Sequence, residues 1–200
     1  MSTDESGSRK RAAATKRERT NRVILAAART LFDQYGYHGV KRDDVAKLAR
    51  VGTATIFSHY PTKQALAIAA YAPSVLRLMA DMEKRLPIMT SPEPYFTTFI
   101  WNLAVCLAQQ PAMAVALLPL SRDSRSHSEG DEATHVLSFR DLAEFIGKLL
   151  MRCTDAHAQD SATLVNDIAD FALSGLLTWI VQHPERPGKD AADLMLAHLL

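Results

Sequence analysis

The sequence predicts an all-α protein, a three-helix N-terminal head carrying a helix-turn-helix on a larger helical body. Three observations predict it. Apolar residues recur at the i, i+3, i+4 spacing of helices in one segment after another, and β-branched alternation is almost absent. Hydrophobic residues make up 48% of the 200 residues, ample for a packed core. Charge is divided along the chain. Residues 1–63 hold thirteen Lys and Arg against six Asp and Glu, and residues 64–200 hold ten against sixteen. A total of +1 therefore hides a head of net +7 and a body of net −6, the footprint of a chain that offers one end to a polyanion.

The segment 1–17 is polar, small and basic, and is expected to be a disordered arm. Arg9, Lys10, Arg11, Lys16, Arg17, Arg19 and Arg22 make it and the next few residues cationic enough to lie on phosphates or in a minor groove. The head itself occupies 18–63. Its first helix, about 16–35, carries the stripe Ile24, Ala27, Ala28, Leu31 and Phe32, and Gly36 ends it. The second starts near Asp43. The carboxylates of Asp43 and Asp44 suit the positive end of a helix dipole, and Val45, Ala46, Leu48 and Ala49 are expected inside. Arg50-Val51-Gly52 is the turn, with Val51 plugging the gap between helices. The third helix covers about 53–60. Pro61 is expected in the first turn of the fourth helix, about 62–85, where a missing N–H costs nothing.

The body occupies 64–200. Pro87, Pro92 and Pro94 mark a loop before a fifth helix, about 95–109, that is apolar nearly all round and so belongs inside a domain. Pro111 opens a short sixth helix to about 120. A polar loop, 121–131, precedes a seventh helix over about 131–153. The eighth runs over about 161–182, where His183-Pro184 stops it, and the ninth over 190–200. The N-terminus lacks the apolar core of a secretory signal. No segment reaches about 18 uninterrupted apolar residues, so no membrane partner is expected. Cys106 and Cys153 sit in apolar helical contexts and read as buried free thiols, as in a cytoplasmic protein. There is no Gly-x-Ser-x-Gly elbow, no phosphate-binding glycine loop and no His-Glu-x-x-His, so neither catalysis nor a cofactor is expected. His127, Glu129, Asp131 and His135 are spaced in a way no helix would converge on a metal.

Residues 22–66 resemble the DNA-binding head of the TetR (tetracycline repressor) family of bacterial regulators. Ile24, Ala27, Ala28, Leu31, Phe32, Gly36, Asp43, Asp44, Val45, Ala46, Ala49, Val51, Thr55, His59, Lys63 and Leu66 stand at the family's spacing. The resemblance implies that the third helix enters the major groove of double-stranded DNA, with Thr53, Thr55, Ser58 and His59 at base edges and backbone. It implies that Lys63 holds a phosphate, with Lys41 and Arg42 on the flank. Several positions depart from the pattern. Arg50 replaces the turn glycine, which costs about 1–2 kcal/mol if the backbone is left-handed there, unless the turn is rebuilt around Gly52. Gly52 replaces a capping serine, passing that role to Thr53. Ala54 replaces a glycine, Val40 and Lys41 stand near a usual threonine, and Phe57 replaces an aromatic hydroxyl that reaches a phosphate. Lys41, Arg42 and Arg50 can supply phosphate contacts instead.

The eighth helix carries a stripe of Leu164, Ile168, Phe171, Ala172, Gly175, Leu176, Trp179 and Ile180, widened by Leu173, Leu177 and Val181. One core face needs less, so a second buried face is expected. The resemblance supplies its occupant, a second protomer in a four-helix bundle. Leu164, Ile168, Phe171, Gly175, Leu176 and Trp179 are the interface candidates. Phe99, Trp101, Phe139, Phe145 and Trp179 are candidates to line a small-molecule pocket, since such pockets are largely apolar. Body charges of both signs, among them Arg122, Arg140, Asp141, Glu144 and Asp170, leave the effector's charge open. The whole reads as a cytoplasmic homodimeric repressor released from a palindromic operator by a small molecule. The alternative is a helical adaptor or ligand-binding protein with a weakened DNA head, against which the +7 head argues.

Overall fold

The computed structural model describes residues 3–85, 92–122, 137–153 and 159–199, and every regular element among them is an α-helix. In chain order these are α1 (Thr3–Gly39), α2 (Arg42–Ala49), α3 (Thr53–His59), α4 (Lys63–Arg85), α5 (Glu93–Ala108), α6 (Pro111–Arg122), α7 (Phe139–Cys153), α8 (Gln159–Gln182) and α9 (Gly188–Leu199). α1, α2 and α3 form the head. α4 leaves it directly into the body, where α5 packs on α9, α6 on α8, and α7 on α8. α6 also packs on both α1 and α4. One apolar core runs from Ile24 and Ala28 in the head through Leu66 and Val75 of α4 to Ile100, Leu117, Ile146 and Leu177 in the body.

Several boundaries differ from the sequence expectation. Residues 3–17 are helical, not a disordered arm. Ala12–Ala14 and the alternating Lys and Arg are strong helix formers, and Glu18 pairs with Arg22 one turn on at 3.2 Å. Gly36 does end the regular part of α1, with φ 66° and ψ 175°, a conformation glycine tolerates freely. Pro61 lies before α4 rather than in its first turn. Thr62 caps that helix, its hydroxyl accepting from the Ala65 N–H at 3.0 Å. α7 begins at Phe139, not near 131, because Ser138 and Asp141 form a reciprocal cap: the Asp141 N–H donates to Ser138 Oγ, and the Ser138 N–H donates to Asp141 Oδ2. Of the expected loop 121–131, Ser121 and Arg122 instead close α6, and residues 123–131, with the group His127, Glu129, Asp131 and His135, lie outside the described residues. Leu48 is exposed on α2, and Trp101 and Val105 are exposed on α5, so α5 buries one broad face rather than its whole circumference. Cys106 and Cys153 are free and half-buried.

The expectation that no segment could cross a membrane is also corrected. Lys63–Arg85 and Thr163–Gln182 are each long and apolar enough by length and composition, as is the pair Glu93–Ala108 and Pro111–Leu118 if its 101° bend is ignored. Counting only uninterrupted apolar residues missed them, because a mean tolerates a charge or two. α4 spends its apolar residues in the core, burying Leu66 through Ala72 in an unbroken run.

Candidate nucleic-acid interface and effector site

α2 ends in a paired hydrogen-bond cap. The Val51 N–H donates to Ala46 O at 3.0 Å and the Arg50 N–H to Lys47 O at 3.2 Å. Arg50 takes the left-handed position of that cap, φ 55° and ψ 43°. The turn is therefore not rebuilt around Gly52, which is extended and serves as the N-cap of α3. Thr53 is the first helical residue and does not cap. Val51 packs partly buried against the core, as its position in the turn predicts.

Ile56 and Tyr60 anchor α3, both nearly fully buried. The Tyr60 hydroxyl donates to Asn21 Oδ1 of α1, so the same ring fills the core and fixes the angle between α3 and α1. With that face inside, α3 turns Thr53, Ala54, Phe57 and Ser58 to solvent, while Thr55 and His59 are half-buried at its flanks. The Ser58 hydroxyl donates back to Thr55 O at 2.9 Å and keeps its lone pairs outward. Partial burial lowers the pKa of His59, and the Arg17 guanidinium of α1 lowers it further. Lys41 is exposed at the start of α2. Lys63 lies with Nζ 4.7 Å from the centre of the Tyr37 ring and donates to His38 O at 3.3 Å. Partial burial lowers its pKa. Arg42 sits 3.8 Å over the Phe57 ring and donates to Pro61 O. Ala54, Phe57 and the Arg42 stack are the part of this face that sequence reasoning missed. Phe57 was read there as a lost donor rather than as a platform.

In the body, the candidate aromatics do not share one cavity. Phe99 and Phe145 are buried and pack on each other, ring centres 5.2 Å apart. Trp101 lies on the outer side of α5, where Nε1 donates to Asp193 of α9 at 2.9 Å. Phe139 borders a pocket of about 640 Å³ between α7 and α8, with Arg140, Glu144, Lys148, Met151, Asn166 and Asp170. Lys148 pairs with Glu144 there at 2.8 Å. Partial burial, then the neighbouring Asp167, raise the Asp170 pKa against the pull of Arg140. Trp179 borders a different space, an apolar groove of about 700 Å³ between α8 and α9, with Ile168, Phe171, Gly175, Leu176 and Leu194. Phe171 is 83% exposed and Leu164 60%, and a Cβ on Gly175 would meet open space. Leu176, by contrast, is 2% exposed and belongs mainly to the core of the chain itself.

A cationic three-helix head, with a capped two-helix turn and an exposed face on its third helix, defines a helix-turn-helix DNA-binding regulator. Residues 24–70 match the family model described as bacterial regulatory proteins, tetR family. The HTH-type transcriptional regulator RutR of Escherichia coli K12 is 37% identical over 76 residues, 38% of this chain and 32% of RutR, so the match spans about a third of that relative. The FadR repressor of Thermus thermophilus, a TetR-family protein in complex with lauroyl-CoA, superposes with TM-score 0.65 at 19% identity, covering 90% of this chain and 92% of FadR. A TetR-family regulator of Pectobacterium atrosepticum gives 0.58 at 19% identity, covering 92% of each chain. FadR of Bacillus subtilis, in complex with stearoyl-CoA, gives 0.53 at 15% identity, covering 88% of this chain and 96% of that one. Residues 24–70 thus carry a tetR-family DNA-binding segment, and the chain as a whole shares the fold of TetR-family regulators.

Proposed function

We propose that this regulator is a homodimeric repressor, acting in the cytoplasm, whose two heads read a pseudo-palindromic operator and whose body binds a small-molecule effector that releases it. The observation that carries the reading is the α8–α9 groove. Leu164, Ile168, Phe171 and Leu194 expose apolar surface on the body of a chain that carries a cationic head. A second copy covers that surface and sets the spacing of two heads. Thr53, Thr55, Ser58 and His59 read the groove, and Lys41, Arg42 and Lys63 hold phosphates. Of the candidate aromatics Phe99, Trp101, Phe139, Phe145 and Trp179, Phe139 borders the α7–α8 pocket, where an effector acts, whereas Trp179 borders the groove that a second copy covers. The switch runs through α4 and α6, because α6 touches α1, α4 and α8 while α4 enters the head at Lys63.

The test is selection from random duplexes. A two-fold-symmetric site, with half-site centres roughly one helical turn apart, supports the reading, and recovery of no sequence overturns it. Lauroyl-CoA and stearoyl-CoA, the ligands of two structural neighbours, are the first effectors to titrate with and without operator. A releasing effector must bind more weakly when operator is present, by the same factor by which it weakens operator binding.

A further inference from the structure

We infer that Phe57 is a positioning residue for phosphate contact: its exposed ring holds the Arg42 guanidinium at the edge of the DNA face. The inference rests on the DNA-binding reading above. Phe57 is a large apolar side chain, 44% exposed on the outward side of α3, with no polar atom to offer a phosphate or a base edge. The Arg42 guanidinium carbon lies 3.8 Å from its ring centre, and Arg42 Nη1 donates to Pro61 O. Arg42 is the first residue of α2, Phe57 lies in the middle of α3, and Pro61 is in the turn that follows. One side chain thus ties three segments of the head together at its surface.

The chemistry of arginine makes this arrangement directional. A guanidinium has five N–H donors in one plane. Stacking uses the face of that plane and one donor goes to Pro61 O, so the other donors remain along its edge to meet a phosphate. A free surface arginine loses rotamer entropy when it grips a phosphate, whereas one already stacked has lost much of that freedom. Phe57 therefore acts through Arg42 rather than on DNA. A hydroxyl at this position is dispensable because the cation itself is brought to the site.

The experiment is a double-mutant cycle on the selected duplex, with affinity measured by anisotropy across a series of salt concentrations. Thermal melting establishes that each variant is folded. Phe57→Leu should weaken binding about 3- to 10-fold, within the range of exposed to partly desolvated cation–π pairs. Phe57→Tyr and Phe57→Trp should stay near wild type. Arg42→Gln should weaken binding and lower the salt slope by about one. Phe57→Leu should cost nothing more once Arg42→Gln is in place. Equal losses from Phe57→Leu in both backgrounds would overturn the inference and mark Phe57 as a direct contact, and an unchanged affinity for folded Phe57→Leu would overturn it as well. A wild-type protein that retains no duplex would overturn the DNA-binding reading itself, which the additive result would leave intact.

Discussion

Arg29 of α1 donates through both Nε and Nη2 to the carbonyl of Ala70, three residues before Pro73 in the middle of α4. Pro73 has no N–H, so the carbonyl of Ala69, one residue before this contact, loses its helix donor and the ladder is weakest beside it. Next to this contact, the Tyr71 hydroxyl donates to Asp33 Oδ1, and burial together with that carboxylate pushes the phenol pKa far up. Head and body are thus joined by an arginine and a tyrosine at a proline. Arg29→Ala should cost about 1–2 kcal/mol, the lower range for a charge-assisted bond at a partly exposed site. Denaturant unfolding reads it. The same variant should also weaken the coupling between effector and operator, because α4 would no longer move as one piece with α1.

Pro73→Ala makes the opposite change. It restores an N–H at an exposed position of the helix and should raise stability by about 1–3 kcal/mol. A stiffer α4 should leave operator affinity close to wild type. An unchanged or lowered melting temperature would mean that the proline itself is needed for the packing of α4.

The head was legible in the sequence because its signals are local. A 3.6-residue stripe, a glycine after it and a short turn before a second stripe need no tertiary information, and α2 and α3 appear within a residue of their expected limits. What escaped were features set by contacts across the chain. Arg29 to Ala70 joins residues 41 apart, and Tyr60 to Asn21 joins residues 39 apart. The stripe on α8 was read correctly as wider than one face needs, but periodicity gives only the angle around a helix. It could not say that Leu176 turns into its own core while Phe171 turns out. The start of α1 was misread because low hydrophobicity was taken as disorder, although Ala, Lys and Arg form helix without a core.

Gly188 opens α9 against the backbone of α5. A Cβ there would lie 2.5 Å from Ala104 O and 2.9 Å from the Val105 nitrogen, and backbone cannot move aside as a flexible side chain would. Gly188→Ala should destabilise by about 2–3 kcal/mol. Gly175→Ala is the control: with open space around its Cβ in the middle of α8, it should stabilise the chain by about 0.5–1 kcal/mol. Both are read by urea unfolding.

Arg50→Gly separates stability from binding. Glycine relieves the left-handed backbone and should add up to about 1 kcal/mol, less what its unfolded-state entropy takes back. If Arg50 holds a phosphate, the same change lowers the salt slope of operator binding by about one. A higher melting temperature with a shallower slope is the expected pair of results.

Phe171→Glu places a charge on the outer side of α8 at a position 83% exposed in the single chain. Sedimentation should show folded monomers with weakened operator binding. Leu176→Glu buries its carboxylate in the protomer itself and should instead cost several kcal/mol and lose the fold. A wild-type monomer at micromolar concentration would end the dimer proposal.

His59 gives the head a pH dependence whose sign can be worked out. Partial burial and Arg17 hold its pKa below 6.5 in the free protein, so at pH 7 it is neutral. Stability carries the same sign. The unfolded chain binds the proton more readily, so the folded state loses stability as pH falls from about 6.5 through the lowered pKa. A neighbouring phosphate reverses the preference, because its negative charge favours imidazolium and offsets Arg17. Between the lowered pKa of the free head and the raised pKa of the complex, binding takes up a proton. Operator affinity should therefore rise as pH is lowered from 7.5 towards 6, while thermal stability of the free protein falls. His59→Gln should flatten the affinity profile and leave the salt slope at pH 7.5 unchanged. Titrating operator at four pH values across that interval, with buffers matched in ionic strength, measures the uptake. Affinity that is flat or falls towards pH 6 would place His59 away from the phosphates.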